Sequence, residues 1–268
     1  MRNGLSFPST MQAIAMTYEQ MAYYYDLLMT EAPYDQWKSF TEAMIEQTKT
    51  SVSSIIDLGC GTGQITTRLA ESGYHMTGVD YSSDMLTVAK QRADSERVPI
   101  QFIQQDLRML EGFPLYDAAV SYCDVLNYIT DEEELRTVFQ RVAGLLRTGG
   151  LFIFDVHSLQ HVHNYYKNQT FADVDDDVAY IWFCTPGERE GEMHHDVTFF
   201  AWDHSSGHYI RFDEYHHQRT YSIHFYRQLL DEAGFTIRHV SSDFLEENNA
   251  IDAESERLFI TAAKRPDD

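Results

Sequence analysis

The stretch IIDLGCGTGQITTRLA, from Ile55 to Ala70, joins a short apolar run to a helix-forming sequence through glycines at 59, 61 and 63. Glycine loses more backbone freedom on folding than any other residue. Three of them at alternate positions imply a turn whose bare backbone is approached closely by something else. An apolar run, a glycine turn and a helix are also the opening of a strand–crossover–strand unit.

The rest of the chain continues that rhythm. VSSIIDLG reads as a strand, TGQITTRLAESG as a helix with a glycine stop, and YHMTGVDYS as a second strand. SDMLTVAKQRADS reads as a helix with Ser82 or Ser83 as its cap. PIQFIQQDL is a third strand and YDAAVSYCDVLNY holds a fourth. DEEELRTVFQRVAGLLRTGG is a long helix and GLFIFDVHS a fifth strand. Strands alternating with helices predict right-handed crossovers and a parallel sheet. After His157 the pattern changes to strands separated by turn signals such as TPGE and HSSGH, which predicts antiparallel hairpins. The helix IHFYRQLLDEAGF and the strands TIRHVSSDF and ERLFITAAKR then complete the fold. The expected architecture is α/β: a doubly wound, mostly parallel seven-stranded sheet. Its parts are a helical cap (1–50), an α/β core (51–156), a small antiparallel β insert on the substrate side (157–220) and a completing segment (221–268).

In a doubly wound sheet, ligands sit at the carboxyl ends of the strands. The turn has the spacing D-x-G-x-G-x-G, which differs from the G-x-G-x-x-G of dinucleotide folds. Its leading acid, Asp57, repels a pyrophosphate and suits a cation. Asp80 ends the second strand about twenty residues after the turn, where an acid accepts both hydroxyls of a ribose. Asp106, in QQDLR, is placed to accept from an exocyclic amine such as adenine's. An acid for an amino-acid head, one for a ribose and one for an adenine together describe S-adenosyl-L-methionine.

With DLGCGTG (Asp57–Gly63), GVDYSSDML (Gly78–Leu86), QQDLR (Gln104–Arg108), YDAAVSYCDVLNY (Tyr116–Tyr128) and LLRTGGLFIFD (Leu145–Asp155) in this order, the chain resembles the class I S-adenosylmethionine-dependent methyltransferases. The resemblance implies that Gly59, with Cys60, Gly61 and neighbouring backbone, approaches the methionine part, with Asp57 near its amino group. It implies that Asp80 takes the ribose hydroxyls and that Tyr81 and Met85 line the adenine pocket. Asp106 and Leu107 meet the adenine, and Ser121 and Tyr122 close the fourth strand beside the sulfonium. Core packing is the competing reading for Met85 and Leu107.

The N-terminal MTYEQMAYYYDLLMTEAPYDQW is similar to the cap of small-molecule N-methyltransferases. It is also similar to a group of bacterial methyltransferases sharing YD-x-L-M followed by PY-x-x-W. Tyr18, Tyr34 and Trp37 are the rings expected to cover the cofactor, and Tyr25 to reach the acceptor. The face of an aromatic ring attracts a cation; packing of a helix pair is the alternative. At the ends of the fourth and fifth strands, Asn127, Tyr128 and His157 are the catalytic candidates. His157 has the proton affinity of a base. Asp124, His216 and Arg219 are the substrate-side candidates. The insert's adjacent pairs His194–His195 and His216–His217 raise a metal hypothesis, but neighbours on a strand point to opposite faces, and no metal is expected.

Charge narrows the partners. There are 42 acids against 20 bases, a net charge of −22. Such a chain lacks the general attraction for phosphate backbones or anionic lipid. Nucleic acid and membrane are therefore not expected as partners, although a modified RNA nucleotide stays open as an acceptor if a partner supplies the basic surface. The Asn/Asp-Pro-Pro-Tyr/Phe signature of amide and nucleobase-amine methyltransferases is replaced by SYCDV. Cys60, Cys123 and Cys184 form no CxxC pair, which argues against disulfides and structural zinc. The expectation is a cytoplasmic monomer or homodimer that methylates a small-molecule acceptor and releases S-adenosyl-L-homocysteine. The alternatives are a non-catalytic binder of either nucleoside and a nicotinamide-dependent oxidoreductase, which the glycine spacing opposes.

Overall fold

The computed structural model describes residues 32–49, 51–204, 206–247 and 255–266. Tyr18 and Tyr25 lie outside them. Along the described chain run α1 (Tyr34–Thr48), β1 (Ser54–Leu58), α2 (Gln64–Glu71), β2 (His75–Asp80), α3 (Ser83–Glu96) and β3 (Gln101–Gln104). Then come β4 (Tyr116–Ser121), α4 (Glu132–Leu145) and β5 (Leu146–His157). A small sheet follows: β6 (Thr170–Val174), β7 (Val178–Pro186), β8 (Glu192–Asp203) and β9 (His208–Arg219). The chain closes with α5 (Ile223–Glu232), β10 (Phe235–Ser242) and β11 (Arg257–Lys264).

The large sheet has seven strands in the order β10-β11-β5-β4-β1-β2-β3. β1 pairs in parallel with β2 and β4, while β11 is antiparallel to β5 and β10. Chain order reverses between β1 and β4, so their carboxyl ends open the crevice where ligands bind in such sheets. Burial on both faces explains the near-continuous apolar strands. Ile56, Leu58, Ala119, Phe152 and Phe154 feed one core cluster, and Ile55, Ala118, Val120, Leu151 and Ile153 feed the other. That alternation is the strand's two-residue period.

The helices follow from their caps and stripes. Ser82 caps α3 by accepting from the Met85 amide, and Asp131 caps α4 by accepting from Glu133 and Glu134. The acidic DEEE run is thus a helix start, with Glu132, Glu133 and Glu134 in the first turn where the helix dipole favours them. Leu135, Val138, Phe139 and Val142 are fully buried at helical spacing on α4, each contributing roughly 1.5–3 kcal/mol.

Three features depart from the sequence expectation. α4 ends at Leu145, and 146–150 belongs to β5, where the register against β4 shifts between Tyr116 and Ala118. β3 is only Gln101–Gln104, because Asp106 caps a 3₁₀ turn, Leu107–Met109. The insert begins with a helical turn, Leu159–His161, running on as a π turn through Val162–Tyr166, before its four antiparallel strands. Ser158 caps that turn by accepting from the His161 amide.

Candidate functional site

Gly59, Gly61 and Gly63 all have positive φ, at 78°, 52° and 77°. A Cβ on Gly59 would lie 2.3 Å from Val125 Cγ1, and one on Gly63 would lie 3.0 Å from the Ala89 Cβ. Gly59 therefore lets the 3₁₀ turn Val125–Tyr128 sit against the loop, and Gly63 lets α3 sit against α2. Gly61 has nothing within 4 Å of its Cβ position. It is the glycine whose backbone faces open space.

Two carboxylates flank this turn. Asp57 is buried and accepts from Thr66 Oγ1 at 2.6 Å. Burial, against that hydrogen bond and with the nearby Asp80 charge, pushes its carboxyl up to about 7. Asp80 accepts from the Gly61 amide at 2.8 Å and the Ser82 amide at 2.9 Å. Burial still raises it, despite those bonds. Among the described residues, neither acid pairs with a lysine or arginine. Burying acids without a counter-charge is costly, which is why burial raises both carboxyls.

The neighbouring candidates fall in varied settings. Tyr81 is exposed beside Asp80, and Met85 is partly buried on the first turn of α3. Asp106 is held by its neighbour Arg108, whose guanidinium donates to both its oxygens. Leu107 packs in the core cluster with Leu110 and Tyr116. Ser121 Oγ donates to the Leu58 carbonyl and so ties the ends of β1 and β4 together. The Tyr122 ring packs near Phe259 and its hydroxyl pairs with Thr41 of α1 at 2.6 Å.

α1 reaches the strand ends through Trp37, whose Nε1 donates to Asp155 Oδ2 at 2.6 Å. Tyr34 is buried one turn before, 6.0 Å from the Trp37 ring. Asp155 Oδ1 also accepts from the Asp124 amide at 2.8 Å. Arg257 at the start of β11 pairs with Asp124 at 2.9 Å and lies 3.5 Å from Asp155. Burial would raise the Asp124 carboxyl, but the charges of His157 and Arg257 hold it well below the usual carboxylate range. Asp155 is raised by burial in spite of Arg257. One guanidinium thus serves two buried acids.

Beyond this network lies a small pocket lined by Asn127, His157, Val162, Tyr166, Gly191, Met193, His195, Gln218 and Thr220. Asn127 fixes its floor, accepting from the His157 amide and donating to the Arg219 carbonyl. Thr220 Oγ1 donates to the His157 carbonyl. Gln218 Nε2 donates to Asp124 Oδ2 at 2.6 Å. His157 Nε2 stands 3.6 Å from Asp124 Oδ1, while its Nδ1 is buried and, among the described residues, without a hydrogen-bond partner.

The remaining substrate-side candidates lie beside this pocket rather than in it. Tyr128 pairs with His216 Nδ1 at 3.0 Å, and His216 Nε2 pairs with Glu214 at 2.9 Å. Arg219 is spent on Glu132 and on the Tyr221 ring. The histidine pairs split by face: His194 stacks on His217, 4.6 Å apart, while His195 registers with His216. Among the described residues no group of three or more His, Cys, Asp or Glu is placed to hold a metal ion.

Residues 55–150 match the family described as a methyltransferase domain. A Geobacillus sp. (strain WCH70) protein named "Putative methyltransferase" is 43% identical over 250 residues, covering 93% of this chain and 100% of its own. The chain is a class I S-adenosylmethionine-dependent methyltransferase. The protein named "Putative methyltransferase YqeM" of Bacillus subtilis (strain 168) is 41% identical, covering 93% of this chain and 98% of its own. A solved S-adenosylmethionine-dependent methyltransferase from Clostridium acetobutylicum superposes with a TM-score of 0.84 at 26% identity, over 93% of this chain and 99% of that one. DesVI of Streptomyces venezuelae shares the fold, with a TM-score of 0.74 at 20% identity, over 92% of this chain and 98% of that one.

The residues of this methyltransferase fit the cofactor. Open backbone at Gly61 and two acids that, among the described residues, lack a counter-cation suit a sulfonium nucleoside with an ammonium group. Sequence reasoning missed Asp155, Arg257, Tyr166, His195 and Gln218. Only the strand period marked one of each histidine pair; nothing local marked Arg257, whose partners come from distant strands.

Proposed function

We propose that this methyltransferase moves a methyl group to a small-molecule acceptor seated in the pocket beside His157. The observation that carries this reading is the small pocket at the carboxyl ends of β4 and β5 that His157 lines, with an Nδ1 that is buried and, among the described residues, without a hydrogen-bond partner. Val125 touches the Gly59 turn and Asn127, two residues on, lines the pocket. The two sites therefore share one short segment. A sulfonium supplies an already activated methyl group; the chain's own residues bind, align and desolvate. Asp57 and Asp80 hold the cation and the ribose, Trp37 and Tyr34 close the cofactor side, and His157 takes a proton where the acceptor carries one. Alignment of this kind supplies of order 7–11 kcal/mol in favourable cases. The acidic chain and the small size of the pocket favour a small acceptor over nucleic acid, in a cytoplasmic protein. Among the described residues no helix is long and apolar enough to cross a membrane.

The test is calorimetry with S-adenosylmethionine and its demethylated product, followed by methyl transfer to a panel of small acceptors. Asp80→Ala is expected to weaken nucleoside binding roughly 10- to 100-fold, the worth of a charged hydrogen bond. His157→Ala is expected to lower turnover and leave that affinity nearly intact. Equal loss of both would remove His157 from the acceptor side.

A further inference from the structure

We infer that the outer edge of β9 joins two copies of this chain, each strand pairing antiparallel with its counterpart about a two-fold axis at Phe212. β9 closes one side of the small sheet, and among the described residues only β8 pairs with it. An unpaired edge is a template for another strand, so soluble chains blunt their edges. The other edges of this molecule are blunted. β3 has four residues, β6 has five and runs into the acids at 175–177, and β10 carries a register shift between Ile237 and His239. β9 is different. It keeps an unbroken register with β8 along its 12 residues and holds neither proline nor lysine.

The free backbone groups can be assigned. In an antiparallel ladder the N–H and C=O of one residue point to the same side, and the side alternates along the strand. At the root of β9 the Arg219 carbonyl accepts from Asn127 Nδ2, so the groups of Arg219 face away from β8. Those of Tyr209, Arg211, Asp213 and Tyr215 therefore face outward too. Trp202, which registers with Tyr209, agrees: its amide donates to Asp177, away from β9. The same four residues of β9 carry exposed side chains.

Their order selects the occupant. A two-fold contact is isologous, so each residue meets its reflection through the axis. With the axis at Phe212, Arg211 faces the second copy's Asp213, and Tyr209 faces the second copy's Tyr215. An axis at Arg211 or at Asp213 sets like charges opposite each other, which is destabilising. An axis between two residues sets outward groups against inward ones and breaks the ladder. One register alone satisfies both charge and backbone. Within one chain Arg211 Nη2 already donates to Asp213 at 2.8 Å, and Asp213 also accepts from Thr198 Oγ1. Pairing completes a square of alternating charges. From β8, Trp202 and His194 brace the two tyrosines, with ring centroids 5.0 and 5.9 Å away. The net charge of −22 opposes association at long range. At about 0.15 M salt that repulsion is screened beyond about 8 Å, and the contact pairs remain.

The experiment is sedimentation equilibrium of the full chain at about 0.15 M salt, with amide hydrogen exchange read at low and high protein concentration. The expected result is a reversible dimer whose formation slows exchange at the Tyr209, Arg211, Asp213 and Tyr215 amides. Arg211→Asp places four acids on the square and Asp213→Arg four bases. Each is expected to weaken the dimer at least tenfold, although they move the net charge in opposite directions. The double variant R211D/D213R restores the alternation and is expected to dimerise within threefold of wild type. A monomer at every concentration overturns the proposal, and slow exchange at these amides in that monomer would give the edge to another segment of the same chain. A dimer indifferent to both single variants, or one that leaves these amides exchanging freely, places the contact elsewhere and also overturns it. The exchange measurement on wild type decides the matter even where a variant does not fold.

Discussion

Replacing Gly59 by alanine tests the contact through which the glycine turn and the segment leading to the proposed acceptor pocket meet. The new Cβ would lie 2.3 Å from Val125 Cγ1 and 2.6 Å from Cγ2, on a backbone with φ of 78°. The left-handed conformation costs an alanine roughly 1–2 kcal/mol, and forcing a methyl into a packed site about 1–3 kcal/mol. The sum is about 2–5 kcal/mol, a fall in Tm of roughly 4–20 °C for a chain of this size. Gly61→Ala is the control, because its φ is 52° with nothing within 4 Å; only the conformational part, about 1–2 kcal/mol, is expected. Val125→Ala separates the two parts, since it removes both clashing methyls. Urea unfolding of the four corners of the Gly59/Val125 cycle should show the double variant more stable than additivity by about 1–3 kcal/mol. Coupling within about 0.5 kcal/mol of zero would refute the claim that Gly59 is there to admit Val125.

Three further outcomes follow from buried charge. Asp57 stands at about 7 in the folded chain against a model-compound 3.8. The folded state therefore holds the extra proton between those values, and stability falls as pH rises from about 4 to 7, by about 4 kcal/mol in all. Asp57→Asn should flatten that slope in urea melts taken across the range. For the same reason S-adenosylmethionine should bind more tightly as pH rises through 7, with proton release seen as buffer-dependent heat that Asp57→Asn abolishes. Arg257→Met leaves Asp124 and Asp155 buried without their cation, and unfolding in urea should reveal a loss of about 3–5 kcal/mol; a loss under 1 kcal/mol would deny the shared pairing.

The architecture was legible because parallel strands buried on both faces must be apolar runs, as in LFIFDV of β5, and because crossovers leave a helix between them. The acids at strand ends were legible for a related reason: Asp57 and Asp80 sit at fixed offsets from a glycine turn that has few other uses. Helix ends were less so. Leu145 and Leu146 are both apolar, yet one ends α4 and the next begins β5, and only the partner strand decides which. The acceptor side was legible in parts. His157 stood out at a strand end, but Arg257, Gln218 and His195 gain their meaning from neighbours far away in sequence. Arg219 stood out as a substrate-side candidate in the insert, and its partner proved to be Glu132 at the start of α4.

The bonds that fasten the small sheet to the large one gather at one end. Gln218 reaches Asp124, Thr220 reaches the His157 carbonyl, and Asn127 donates to the Arg219 carbonyl. The sheet is a cantilever. Residues near its root share their geometry with the proposed acceptor pocket and have little freedom to vary. The far ends of β8 and β9, at Asp203 and His208, lie away from that root, where insertions lengthen the lever without moving its mount. New acceptor preferences therefore have room to arise by changes spreading outward from His195 and Gln218, while the nucleoside end of the enzyme stays as it is.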